Sequence, residues 1–285
     1  MPNSQGSIEY LVNYAWAFII IGVAIAALYA IGAFNSGNSI SRAEPGACQV
    51  YRPYGAGTIQ LIDLQGVCSS EIPKSVAFFN GGSSKVSVPD SGYLDLSNQL
   101  TVTAWIYANG SGTDQDAVSK ATATTNTGYV FPATTSGWSN IAMDLYIGGS
   151  WVSLSENYNG KNSWHYVAAT YNGYAMSIYV DGYLAGTVPQ SGNIVTNGNN
   201  LTIGAGQGNW FAGGISNVQI YNSSLNSNQI LHEYIKGIGA PPIDLQHLVG
   251  WWPLNSDMVD YSGNGNNGAS NTVVFSSAWT KAYSH

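Results

Sequence analysis

Residues 163–188 read SWHYVAATYNGYAMSIYVDGYLAGTV, and the way this stretch is punctuated decides the fold. Trp164–Tyr171 and Ser177–Val180 are short runs rich in aromatic and β-branched residues, which suit a pleated, half-buried surface. Asn172-Gly173 and Asp181-Gly182 stand beside these runs, and such dipeptides between apolar runs are the strongest short-range hairpin signals. The same pattern extends in both directions. Lys85-Val86-Ser87-Val88, Leu100–Tyr107, Leu201–Gly204 and Val218–Tyr221 are further short strands, and Asn197-Gly198 is a further turn. Many short strands at a spacing of about 8–12 residues predict a mainly β chain folded as a sandwich or jelly roll. Ile230–Ile235, within NSNQILHEYIK, is the best short helical turn in this part.

The N-terminus is different in kind. Glu9 is the one side chain charged at neutral pH before Arg42, and from Tyr10 to Phe34 the clearly polar member is Asn13. A run of this length and apolarity meets the criterion for a membrane-spanning helix, about 20 apolar residues. The flanks lack the Lys or Arg of a topology signal, and the stretch is too long for a cleaved secretory signal. A long apolar helix from about Ser7 to Phe34 is expected, ended by Asn35-Ser36-Gly37-Asn38-Ser39. The expected organisation is therefore a helix with a short leader (1–34), a linker and loop (35–75), and a β domain (76–285).

Composition points outside the cell. Charged residues are 8 % of the chain, against about 25 % in typical soluble domains. Asn, Ser, Thr, Gly and Tyr supply the polarity instead. A net charge of −7 argues against nucleic acid as a partner, since phosphate binding needs clustered cations. Cys48 and Cys68 enclose a short loop, and in an exported chain the default reading is a disulfide; two buried free thiols are the alternative. Asn109, Asn200 and Asn222 each begin an Asn-x-Ser/Thr sequon, acceptor-compatible on a surface domain.

Two resemblances sharpen this reading. FFNGGSSKVSVPDSGYLDLSNQLTVTAWIYA, the stretch at 163–188, and LTIGAGQGNWFAGGISNVQIYNSSLNSNQI follow one another from Phe78 to Ile230 in the order of the laminin-G-like or concanavalin-A-like jelly roll. LVGWWPLNSDMVDYSGNGNNG, at 248–268, is similar to the opening strand and loop of the same family, yet here it follows the last strand. Either the domain is circularly permuted, with the strand at 248–254 entering its own sheet, or the strand is donated to a neighbouring subunit. Of Trp251 and Trp252, adjacent on a strand, one should enter the core and the other lie against a covering loop or a neighbour.

Gln5-Gly6-Ser7-Ile8-Glu9 resembles the start of archaeal type IV pilins, although Ser4 stands where that family usually has Gly. The resemblance implies cleavage between Ser4 and Gln5 by a prepilin peptidase. It further implies pairing of the freed Gln5 amine with a neighbour's Glu9, and a homopolymeric extracellular filament whose outer sheath, the jelly roll, serves adhesion. A membrane-anchored lectin and a surface glycosidase are the rival functions.

The chemistry on offer is limited. Glycoside hydrolysis needs two carboxyls about 5–10 Å apart, and Asp144 with Glu156 is the plausible pair among few acidic residues. The chain has no nucleophile elbow, HExxH or phosphate loop, so no enzyme activity is expected. His165 reads as a satisfied strand histidine. The resemblance implies a structural Ca²⁺ near Asp260 and Asn264 in the loop DYSGNGNNG, with a metal-free Gly/Asn turn as the alternative. A glycan or cell-surface ligand is the other expected partner, for which Tyr107, Tyr146, Trp138, Trp151, Trp210 and Phe211 are candidate stacking aromatics, unless they are packing residues.

Overall fold

The computed structural model describes residues 19–23, 25–26, 49–53, 59–63, 73–109, 114–122, 124–134, 138–270 and 272–279. The chain divides into two units, Met1–Arg42 and Ala43–His285. In the first, residues 19–23 and 25–26 are helical, within the expected apolar helix. Ile19, Ile20, Ile21, Val23 and Ile25 are each more than half exposed. Among the described residues no helix is long and apolar enough to cross a membrane.

The second unit opens with an antiparallel pair, β1 (Gln49–Pro53) and β2 (Ile59–Asp63). The strands that follow are β3 (Val76–Asn80), β4 (Val86–Val88), β5 (Leu100–Ala108), β6 (Gln115–Asp116), β7 (Val118–Ser119) and β8 (Tyr129–Thr134). Next come β9 (Asn140–Ile147), β10 (Ser150–Asn157), β11 (Trp164–Tyr171), β12 (Ala175–Val180) and β13 (Tyr183–Pro189). The last are β14 (Leu201–Ile203), β15 (Ala205–Gly206), β16 (Asn209–Trp210), β17 (Ala212–Tyr221), β18 (Leu248–Trp252) and β19 (Val274–Ser276), with helix α1 (Ser227–Lys236) between β17 and β18.

Two antiparallel sheets face one another. One runs β10-β9-β8-β7-β14-β4 with β6 beside β8; the other runs β13-β12-β11-β5-β17-β3-β19 with β18 beside β17. This is the predicted jelly-roll sandwich. Val102, Ala104 and Ile106 of β5, Val167 and Ala169 of β11, and Ile215, Val218 and Ile220 of β17 point into the core, where they meet Ile141, Met143 and Leu145 of β9. The intervening residues of β5 and β11, Trp105 and Tyr166, point to the opposite face and pack beneath α1 against Ile230 and Tyr234. Trp105 and Tyr234 stack with ring centroids 5.9 Å apart. A capping box starts α1: the Asn226 side chain accepts from Gln229 N while Gln229 Oε1 accepts from Asn226 N.

The hairpin signal at 181–182 is fulfilled. Asp181 (φ 50) and Gly182 (φ 81) both adopt positive φ between β12 and β13, the conformation a two-residue hairpin loop needs for its twist to match the strands.

The displaced strand lies in its own sheet. β17 is long enough to serve two partners along one edge: Ala212–Ile215 pair with β3, and Val218–Tyr221 pair with β18. The C-terminal strand thus takes the remaining half of an edge that β3 only partly covers, as permutation requires. Trp252 is fully buried in the core and donates from Nε1 to Asn266 O at 2.9 Å. Trp251 turns the other way, against Tyr261 with centroids 6.0 Å apart, and donates to Asn217 Oδ1 at 2.7 Å. Trp279 completes the closure, packing on Trp164 and donating to Pro73 O at 3.1 Å.

Candidate functional site

A cleft of about 580 Å³ opens where the loop between β4 and β5 meets the ends of β17 and β18, within the ~300–1,000 Å³ usual for small-ligand sites. Its near wall is a 3-10 turn, Gly92–Leu94, capped by Ser91, whose side chain accepts from Tyr93 N. The cap turns Tyr93 outward, leaving it 58 % exposed. Asp95, Asn98 and Gln99 continue this wall, and Asn222, Ser223 and His247 form the opposite one.

Both walls are anchored to the scaffold. Thr101 Oγ1 donates to Ser223 O at 2.6 Å, Ser224 N donates to Gln99 Oε1 at 3.3 Å, and Asn222 N donates to His247 O at 2.9 Å. His247 Nδ1 lies 2.8 Å from Asp244 Oδ2. Behind Asp95 sits Lys120, its side chain 2 % exposed, with Nζ 2.6 Å from Asp90 Oδ1 and 3.3 Å from Asp95 Oδ1. The same ammonium donates to Asn197 O at 3.0 Å and Asn199 O at 2.7 Å. A buried lysine held by four oxygens fixes the loop that carries Tyr93 and Asp95.

No motif in the sequence marks Tyr93, Asp95, Asn98 or His247, and Asn222 stands out there only as a sequon. The signal for Tyr93 was an aromatic inside the polar loop PDSGYLDLSNQ. His247 joins this loop only through the pairing of β17 with β18.

Other predicted positions fall elsewhere. Ser4, Gln5, Glu9, Cys48 and Cys68 lie outside the described residues. Asn109, Asn200 and Asn222 are all exposed, and Asn200 also bridges, donating to Ser87 Oγ at 3.1 Å and accepting from Asp90 N at 3.2 Å. Trp138 and Phe211 are buried against each other at 5.3 Å, and Tyr107 packs on Trp164. Trp210 lies half-buried beside Lys85, and Tyr146 and Trp151 pack edge-on at 5.4 Å.

The carboxylate pair Asp144 and Glu156 is a correction. In the unbroken register of β9 with β10, Ser153 opposes Asp144 and Glu156 opposes Ile141. Met143, Leu145 and Leu154 face the core, so strand alternation puts Asp144 on the outer face and Glu156 on the inner one. They cannot flank one glycosidic bond. Asp116 is the carboxyl that burial does affect most, raised to about 8, with Asn209 opposing the shift and Asp144 adding to it. It is 3 % exposed and covered by the turn at Gly206, where a Cβ would come 2.8 Å from Asp116 Oδ2.

Asp260 holds its loop together. Oδ1 accepts from Trp251 N and Ser262 N, and Oδ2 accepts from Ser262 Oγ and Asn266 N, all at 2.9–3.0 Å. A carboxylate has about four lone-pair directions, and all four are taken. Asn264 Nδ2 turns to the carbonyls of Leu248 and Val249, each at 3.2 Å. Arranged in this way, the two side chains do not fit a calcium ion. Among the described residues no three His, Cys, Asp or Glu side chains gather as a metal site.

The fold is shared with known proteins. At 15 % identity and a TM-score of 0.55, the chain is similar to a candidate carbohydrate-binding protein from Bacteroides ovatus, over 76 % of this chain and 66 % of that one. It is also similar to a Ruminococcus gnavus sialidase module of the CBM40 class bound to sialyllactose (16 % identity, TM-score 0.45, 56 % of this chain and 98 % of that one). Domain 4 of an arabinanase from Geobacillus stearothermophilus, in complex with arabinotriose, matches at 19 % identity and a TM-score of 0.46, over 66 % of this chain and 81 % of that one. No curated protein sequence matches. The family model for the concanavalin A-like lectin/glucanases superfamily matches residues 80–231, which is more than half of the chain and runs from the end of β3 into α1; the chain belongs to that superfamily.

Proposed function

We propose that the β domain binds carbohydrate in the cleft beside Tyr93 and is displayed outside the cell. One observation carries this reading: an exposed aromatic ring lines a cleft in which Leu96 and Val249 stand among amides, hydroxyls, a carboxylate and an imidazole. An aromatic face suits the C–H face of a pyranose. Amides and carboxylates suit its hydroxyls, because amides both donate and accept while a carboxylate accepts twice or more. The lectin branch of the superfamily and the likeness to a candidate carbohydrate-binding protein agree with it. Binding, with no bond broken, is the expected activity.

The test is a glycan array probed with the full-length protein in mild detergent, beside Tyr93→Ala. Retention of selected glycans by the wild type, and loss of most of that signal in the variant, is the expected result. An array with no retained glycan, or one indifferent to Tyr93, would refute the reading.

A second role, as a filament subunit or membrane anchor, is favoured by the apolar side chains exposed at Ile19, Ile20, Ile21, Val23 and Ile25. Such a surface needs lipid or partner helices. In the filament form a prepilin peptidase cuts before Gln5, Glu9 pairs with a neighbour's new amine, and the β domains form the sheath. Mass measurement of the N-terminus on surface-exposed protein, with microscopy of filaments, tests this form. An intact Met1 in assembled material would overturn it.

A further inference from the structure

We infer that the cleft selects neutral saccharides over acidic ones; this rests on the carbohydrate reading above and concerns which sugars it takes. The charges around the cleft carry it. Among the described residues no Lys or Arg lines it, whereas Asp95 does, and Asp244 stands directly behind His247. The cation paired with Asp95 is Lys120, and its ammonium is spent on Asp90, Asp95 and the carbonyls of Asn197 and Asn199 beneath the surface. It has no exposed face with which to meet a ligand's carboxylate or sulfate.

His247 turns its Nδ1 to the Asp244 carboxylate, 2.8 Å away, so that nitrogen is engaged within the protein. The carboxylate of Asp95 and the amides of Asn98 and Asn222 match hydroxyl groups, which donate to the carboxylate and exchange hydrogen bonds with the amides. A uronate, a sialic acid or a sulfate ester would instead bring a second negative charge into a cleft already holding one, on a chain of net charge −7. At physiological salt a charge within the ~8 Å screening length is still felt. Recognition of acidic sugars elsewhere relies on a cation positioned for the carboxylate, and that element is missing from the lining.

The experiment uses matched glycan pairs that differ by one sialic acid, uronate or sulfate group. Affinities for the full-length protein in mild detergent would be measured by calorimetry at low and at high sodium chloride. The neutral member should bind at least about tenfold more tightly at low salt, and the gap should narrow as salt rises. Asp95→Asn should narrow it as well; if that variant fails to fold without its partner for Lys120, Asp244→Asn serves in its place. Equal or tighter binding of the acidic member overturns the inference while leaving the cleft as a sugar site. Binding of neither member, or binding untouched by Tyr93→Ala, overturns the carbohydrate reading itself.

Discussion

His165 Nδ1 lies 2.8 Å from Asp181 Oδ2, and the other oxygen of that carboxylate explains the pair: Oδ1 accepts from Tyr166 N at 3.0 Å. Asp181 therefore closes the β12–β13 turn onto β11 through one side-chain and one backbone donor. Ser163 Oγ, 2.7 Å from His165 Nε2, completes a line with the order of a hydrolase relay. None of the three lines the cleft, and the role that the Tyr166 contact supports is mechanical.

Ser163→Ala should accordingly lower stability by about 0.5–1.5 kcal/mol, the usual net worth of one such bond, and leave sugar binding unchanged. Asp181→Ala should cost more, since it strands the imidazole and a strand N–H and puts a residue less tolerant of φ 50 in the turn. Thermal melts and array binding on the same preparations check both. A loss of glycan retention in Ser163→Ala would contradict the mechanical role.

Stability should fall as pH rises from about 5 to 8. Glu233 on α1 is 1 % exposed, and burial pushes its carboxyl from the usual 4.5 up to about 7. Lys236, Gln219 and the Ile243 N–H oppose the shift without bringing either oxygen into hydrogen-bond geometry. Asp116 is raised in the same sense. A carboxyl with a raised native pKa keeps its proton in the folded state, so the folded form is favoured below the shifted value and penalised above it. Glu233→Gln should flatten the profile and add about 2–3 kcal/mol at pH 8. Stability that climbs between pH 5 and 8 would count against this account.

Removal of residues 242–285 should abolish folding of the β domain. The deletion takes away Trp252, fully buried in the sandwich core, and Trp279, which is tied to Pro73. It also uncovers the half of β17 that pairs with β18. Trp252→Ala alone should cost about 3–5 kcal/mol. A truncated protein with a cooperative melt like that of the full chain would show the strand to be dispensable.

Chelation should leave the melting temperature unchanged, because protein donors already occupy the Asp260 carboxylate. Asp260→Ala, in contrast, should lower stability by at least about 2 kcal/mol by orphaning several donors, the buried Asn266 N and the half-buried Trp251 N among them. A calcium-dependent rise in the melting temperature, lost in Asp260→Ala, would restore a metal to this loop.

Glycosylation at Asn222 and occupancy of the cleft should exclude each other, since Asn222 is both an exposed sequon and part of the cleft wall. Mass spectrometry of glycopeptides and array binding, compared between glycosylated and enzymatically deglycosylated protein, test this. Unchanged retention with Asn222 fully occupied would refute it.

The sandwich was legible because its signals are local. Trp164–Tyr171 is a strand with the predicted bounds, and Asp181-Gly182 makes its turn whatever surrounds it. The opposite faces of Trp251 and Trp252 follow from strand alternation alone. Several strands were less visible, among them β1 and β2, which fall in the expected linker, and β8, β9, β10 and β13. Tyr129–Thr134 contains Pro132, and Tyr183–Pro189 is a largely exposed edge whose apolar pattern is weak.

Sequence by itself determined the class of fold, the turns at 172–173 and 181–182, the position of α1 and the apolar character of the N-terminus, since these depend on residues within a turn or two of each other. Tertiary structure alone decided the site. Tyr93 and His247 line one cleft only because β18 returns to the open half of β17, and Lys120 is withdrawn from that cleft only because Asp90, Asp95 and the 197–199 loop converge on it. Asp144 and Glu156 were parted by the same kind of fact, the register of β9 on β10, which sets the face of every side chain along both strands.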